Sequence, residues 1–188
     1  MLSMLFALLF SCGDVKLDRK ATPEAIAFNF EAPDGRTGCG LGMYLGGRSA
    51  LTVPHVVTEW QPDKTWWSDG AGETGTAKVL TKRGLLIMVE LDRVPKHLRG
   101  AKHGTPPVNG HMLHWLKPLS TWRYAFVWGR YVGIDTAGDM ELDGVVWPGA
   151  SGSPLYDSLG NVVGLIDSSG ANDNWLMRPM AYAIPWER

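Results

Sequence analysis

Cysteine is scarce. Cys12 and Cys39 are the only two in 188 residues, which excludes a secreted scaffold stapled by several disulfides. A long apolar run is missing too. The stretch over residues 1–11 is almost wholly apolar, but it falls short of the ~20 residues that a bilayer-spanning helix needs. Neither sign of charge dominates. Eighteen Lys and Arg face 19 Asp and Glu, a formal net charge of −1, so no bulk field draws nucleic acid or anionic lipid. Helical periodicity is almost absent, and there is no internal repeat or low-complexity tract. What is present points elsewhere. Twenty-three Gly and 12 Pro imply many turns between short strands. Nine Trp suit strands. The length suffices to bury a core, as one domain or two small lobes.

The apolar N-terminus fits the hydrophobic part of an export signal better than a buried N-terminal strand or helix. Leu9-Phe10-Ser11-Cys12 resembles a bacterial lipobox, whose cysteine is lipidated and heads the mature chain. Two features depart from that pattern: no Lys or Arg precedes the apolar run, and Phe10 is bulky for its position. Residues 1–20 are thus expected to be an export signal of lipoprotein type followed by a polar linker. An extracytoplasmic protein with a membrane tether at Cys12 would result.

Beyond that segment, Ile26, Phe28 and Phe30 alternate with small or polar residues, as a strand does. Gly38 to Leu45, Ser49 to Val53, Thr76 to Leu80 and Leu85 to Leu91 read as further strands, with Gly46-Gly47 as a hairpin turn. Trp60 to Gly75 reads as a long loop carrying Trp66 and Trp67, positions that could touch a substrate or partner. Arg93 to Pro107 reads as a connection between lobes. His111 to Leu116, Trp122 to Ile134, Met140 to Val146, Leu155-Tyr156, Val162 to Asp167 and Met180 to Ile184 supply a second set of strands. The expected fold is all-β, with one lobe over residues 21–100 and another over 101–188.

Two stretches carry chemistry. In Pro148-Gly149-Ala150-Ser151-Gly152-Ser153-Pro154-Leu155 a serine sits between two glycines. Glycine permits a tight turn that residues with a Cβ resist. Such a turn can present the Ser151 hydroxyl and aim the Gly149 and Ser151 N–H groups at one point. By itself the octamer reads equally well as a β-turn with an ordinary serine. Upstream, the apolar strand Ser49 to Val53 runs into Pro54-His55-Val56-Val57.

Together, ALTVPHVV and PGASGSPLYDSLGNVVGLI resemble the two signature segments of the trypsin-like (chymotrypsin-fold) serine peptidases. The bacterial or phage-type forms without disulfides are most similar, and the resemblance spans residues 25–186. It implies two antiparallel six-stranded β-barrels with the active site in the cleft between them. It further implies a serine endopeptidase in which Ser151 is the nucleophile and His55 the general base and acid. Gly149 and Ser151 would form the oxyanion hole. A polypeptide substrate follows, with no nucleic acid, cofactor or metal. Family members often carry a cysteine beside the active histidine. Val56 stands there, so Cys39 is expected to be a small unpaired hydrophobe.

One position departs from the family. The triad aspartate should open the segment that reads Leu85-Leu86-Ile87-Met88-Val89-Glu90-Leu91-Asp92, and Leu85 occupies its place. In the family, the strand after the nucleophile ends on a serine that faces the histidine. Here that strand reads Val162-Val163-Gly164-Leu165-Ile166-Asp167-Ser168-Ser169-Gly170, and Asp167 takes the serine's place. A carboxylate ending an apolar strand is costly unless paired. The resemblance therefore implies a relocated acid, with Asp167 orienting His55. The plain alternative is a strand-end residue capping a turn with Ser168 and Ser169. If no acid reaches His55, the chain is an inactive relative that binds peptides or plays a structural part. An esterase is a third reading.

Ala150 lacks the carboxylate that pairs with a new N-terminus in zymogen-activated members. By the same resemblance Val145 floors the substrate pocket, with Trp147 nearby and Ser168 and Ser169 on its wall. An uncharged floor favours an apolar side chain at the cleaved residue. His97, His103, His111 and His114 follow no metal-ligand spacing and read as surface or core residues.

Overall fold

The computed structural model describes Leu17 and residues 22–57, 64–83, 85–120, 123–147, 149–170 and 180–185. The expected export signal, Cys12 and the lipobox lie outside the described residues. Leu17, inside the expected linker, is buried.

Two closed antiparallel barrels follow one another. The first contains β1 (Ala25–Glu31), β2 (Thr37–Gly46), β3 (Ser49–Thr52), β4 (Thr65–Ser68), β5 (Thr74–Arg83) and β6 (Leu86–Leu91), in the order β1-β2-β3-β6-β5-β4. A single helical turn, α1 (Pro54–Val57), follows β3. The second contains β7 (Met112–Ser120), β8 (Arg123–Ile134), β9 (Met140–Asp143), β10 (Pro154–Tyr156), β11 (Val162–Gly170) and β12 (Met180–Pro185), in the order β10-β11-β12-β9-β8-β7. Closure leaves neither sheet with a free edge. This is the two-barrel architecture that the sequence led us to expect.

Side-chain size explains how the barrels close and meet. Along β1 the chain is buried on both faces. Ile26 and Phe28 join Met43, Leu51, Trp67 and Val89 in the first barrel's core. The opposite face offers Ala25 and Ala27, which cluster with Leu17, Leu41 and Leu116. Small residues on that face let the second barrel's Leu116 approach. Inside the second barrel Trp115 is fully buried among Leu113, Met140, Leu142 and Ile166. Gly129 and Gly144 make its room, because a Cβ at either would press on the Trp115 ring at 2.6 and 2.5 Å. Replacing a buried tryptophan of this kind by alanine costs about 3–5 kcal/mol.

Two expectations need correction. Trp66 and Trp67 are on strand β4, not on a long loop. Trp67 is fully buried, and its Nε1–H donates to Asp92 Oδ1 at 2.9 Å. The partner of that indole lies 25 residues away, beyond the reach of local pattern. Cys39 is disulfide-bonded, not a solitary hydrophobe. Disulfides depend on approach in space, which the spacing of two cysteines does not reveal.

Candidate active site

Strand β3 delivers His55. Pro54 opens α1, where its fixed φ suits a first helical position and its missing N–H costs nothing. Val56 points inward and is buried, its N–H donating to the Val53 carbonyl at 3.2 Å. Its methyl groups fill the space above Gly40, where a Cβ would stand 2.6 Å from Val56 Cγ2. With Val56 fixed, His55 one residue earlier turns outward, and its side chain is 49% exposed.

The loop carrying Ser151 is laced to both barrels. Gly149 and Gly152 have φ of +88° and +79°, in the left-handed region that glycine tolerates. The Ala150 N–H closes a turn on the Trp147 carbonyl at 2.9 Å, and the Ser153 N–H one on the Ala150 carbonyl at 2.9 Å. From the first barrel, the Leu41 N–H donates to the Ser151 carbonyl at 2.8 Å. Gly152 lies so close to β2 that a Cβ would overlap the Leu41 carbonyl oxygen. That oxygen also accepts from the buried Thr52 hydroxyl at 2.7 Å. From the second barrel, the Gly152 N–H donates to the Ile166 carbonyl at 2.7 Å, and the Ile166 N–H to the Ser153 carbonyl at 2.9 Å. Among the described residues the Gly149 and Ser151 amides have no backbone acceptor.

Asp167 directly follows Ile166. The β11–β12 register pairs Ile166 with Ala183 and Ser168 with Tyr182, so Asp167 is an extra residue in the ladder. Such a bulge re-aims a side chain. Asp167 Oδ1 lies 3.2 Å from His55 Nδ1, with the Asp167 side chain 27% exposed. A carboxylate at that distance can accept a hydrogen bond from a ring N–H. Leu85, in the turn between β5 and β6, is 39% exposed.

Among the pocket residues, Val145 and Trp147 are exposed, while Val146 between them packs into the second barrel's core. Ser168 and Ser169 pair through their backbones with Tyr182 and Ala181; their side chains lie outside the described residues.

Four further residues attach to the site without a motif to announce them. Thr52 caps the Leu41 carbonyl. The fully buried Ser153 Oγ accepts from the Leu116 N–H at 2.9 Å. The Tyr124 hydroxyl donates to the Gly149 carbonyl at 3.3 Å, and burial pushes its pKa well up. Lys117 Nζ sits over the Trp147 ring, 4.0 Å from its centroid. A hydroxyl next to a glycine-rich turn is the one sequence signal that could have singled out Ser153, and nothing local singles out Thr52.

Away from the cleft, one cluster has the makings of a metal site. Ligand atoms of Asp69, Glu73 and His97 lie within 4.8 Å of one another. Protein donors already occupy it. Asp69 Oδ1 accepts from the Ala71 and Glu73 amides at 2.7 and 3.0 Å, and Oδ2 meets His97 Nδ1 at 2.7 Å. His114 lies among Phe126, Trp128 and Tyr156, where burial lowers its pKa against a smaller opposing pull from Asp157.

No protein-family model matches the chain, and no curated protein matches it. Solved structures do. The Rv3671c protease of M. tuberculosis in its active form aligns with a TM-score of 0.72 at 17% identity, covering 89% of this chain and 78% of that one. The serine endoprotease from Yersinia pestis aligns with a TM-score of 0.74 at 18% identity, covering 89% of this chain and 60% of that one. The chain thus spans about three fifths of the Yersinia protein's length.

Proposed function

Given a chymotrypsin-type double barrel, we propose that the chain is a serine endopeptidase with a relocated acid. The reading rests on one observation above all, the 3.2 Å approach of Asp167 Oδ1 to His55 Nδ1. With Nδ1–H held by Asp167, His55 Nε2 takes the proton from the Ser151 hydroxyl as Oγ attacks the scissile carbonyl. The carbonyl π electrons move to oxygen, and the Gly149 and Ser151 N–H groups stabilise that charge. The imidazolium then protonates the leaving amine and the acyl-enzyme forms. Water, deprotonated by His55, releases the acid product and restores the serine. Val145 and Trp147 offer the cleaved residue an apolar surface. Ala150 carries no carboxylate for a newly freed N-terminus, so maturation needs no such pairing.

The chain acts outside the cytoplasm in this reading. An apolar N-terminus suits export, and a disulfide at Cys39 persists best in an oxidising compartment. A sulfur in a disulfide cannot carry a lipid thioether. A tether at Cys12 and a bond from Cys12 to Cys39 therefore exclude one another within one molecule. The mass of the intact mature chain, with and without reductant, decides between them.

Reaction with a fluorophosphonate probe tests the hydrolase. Covalent labelling that Ser151→Ala abolishes and Asp167→Asn slows is the expected result. Absence of labelling at neutral pH would make the chain an inactive relative. Labelling with turnover of esters and no peptide would make it an esterase.

A further inference from the structure

The Lys117–Trp147 pair has no part in the proton relay, yet it flanks the loop that performs it. Trp147 is tied to that loop by the turn its carbonyl closes with the Ala150 N–H. Lys117 is tied to it at its other end, because its neighbour Leu116 donates its N–H to Ser153 Oγ. The two touching side chains thus adjoin the segment from 149 to 153. The Trp147 ring is 45% exposed, and Lys117 Nζ lies 4.0 Å from its centroid. A π face attracts an ammonium through its quadrupole but accepts no strong hydrogen bond from it. Ordinary pairing with a carboxylate would neutralise this lysine. The ring instead holds it in place while its charge and N–H donors stay available. A fixed cation beside the Ser151 loop favours an anion among arriving groups.

We propose that Lys117, held on Trp147, is a specificity determinant that selects polypeptides with an acidic side chain one or two residues from the scissile bond. This rests on the peptidase reading above. The residue whose carbonyl is attacked meets the apolar surface of Val145 and Trp147, so the acidic side chain belongs to a neighbour of that residue. A charge-assisted hydrogen bond of this kind is worth about 10- to 100-fold in affinity when partly shielded, and about 2- to 5-fold when fully wet. A preference between those limits is expected, decreasing as salt is raised.

The test uses paired peptides that share one apolar cleaved residue and differ by Glu against Gln at each flanking position. Their binding to the full chain carrying Ser151→Ala is measured by fluorescence anisotropy, which needs no turnover. Cleavage of the same peptides by the unaltered chain is followed in parallel. The expected result is a Glu preference of about 5- to 30-fold in binding at one flanking position. Lys117→Met abolishes that ratio, Lys117→Glu inverts it and Lys117→Arg retains it. A lysine that merely braced the turn would alter both peptides alike, so an unchanged ratio in Lys117→Met overturns the proposal. So does equal binding of Glu and Gln peptides at every position. If the Glu preference in binding is present while neither cleavage nor probe labelling occurs, the peptidase reading fails and the recognition by Lys117 stands.

Discussion

Two histidine–aspartate pairs stand in this molecule, and the tighter one is the less promising catalyst. His97 and Asp69 meet at 2.7 Å, with the Asp69 carboxylate fully buried. His55 and Asp167 meet at 3.2 Å, with Asp167 27% exposed. By distance and burial alone the first pair would be chosen. Its surroundings explain why it should not be. Asp69 spends its other oxygen on the Ala71 and Glu73 amides, and Glu73 Oε2 accepts from the Lys96 N–H at 2.8 Å. The amide bonds shape the β4–β5 connection, and the His97 and Lys96 contacts close it onto the segment after β6. The pair is a clasp. Asp167, by contrast, sits on a bulge one residue beyond Ile166, whose own N–H and carbonyl hold the Ser151 loop. What separates a clasp from a candidate relay is a hydroxyl in a glycine-flanked turn, with the candidate oxyanion amides beside it.

The largest expected effect would establish or erase that distinction. Asp167→Asn should lower turnover about 10³- to 10⁴-fold, through loss of the productive histidine tautomer, with the far-UV spectrum and unfolding midpoint retained. Asp69→Asn should leave turnover as it was. Equal losses in the two variants would mean that the pairs do not differ in role. Gly152→Ala comes next. A Cβ there meets the Leu41 carbonyl, and φ at +79° resists it. The loss should be roughly 2–5 kcal/mol from strain and overpacking, read from denaturant midpoints, together with loss of probe labelling. Asp69→Ala removes the clasp and leaves the Ala71 and Glu73 amides without their carboxylate. That costs about 1–3 kcal/mol, a drop of roughly 2–10 °C in thermal midpoint, with labelling intact. Tyr124→Phe deletes the hydroxyl on the Gly149 carbonyl for about 1 kcal/mol. It should slow probe labelling modestly, since that carbonyl belongs to the peptide unit next to the candidate oxyanion amides.

The smallest effect concerns neither pair but a histidine with no strong partner among the described residues. Burial lowers the pKa of His114, so the folded state prefers the neutral ring. Its contribution is complete above the unfolded value of about 6.5 and is lost as pH falls through the folded one. Denaturant midpoints compared at about pH 7.5 and about pH 5.5 should fall in the acid sample, and His114→Leu should flatten that fall.

The double barrel was legible because short apolar strands, glycine turns and a lack of helical periodicity all argue one way. Ser151 and His55 stand in stretches whose letters single them out. The strand-ending carboxylate at Asp167 is visible as a chemical oddity, but the bulge that aims it is not, since a register shift is a property of two strands. Trp67 was misread for the same kind of reason. Its apolar ring is paid for by Asp92, a partner from another strand's end, and a Trp-Trp dipeptide among polar residues looks like a loop. The disulfide at Cys39 has no local signature. Lys117 and Tyr124 reach the site only because β7 and β8 end against the Ser151 loop.

The bulge at residue 167 has a mechanical consequence. In the proposed relay, with the carboxylate carried by β11, the second barrel would supply both the acid and the alcohol, and the first barrel the imidazole alone. Any slip between the barrels would then loosen both neighbours of the ring in a single movement. The seam at Leu41, Thr52 and Gly152 would therefore act as the alignment pin of the relay. Its stiffness, more than the strength of any one hydrogen bond, would set how often the ring is in position.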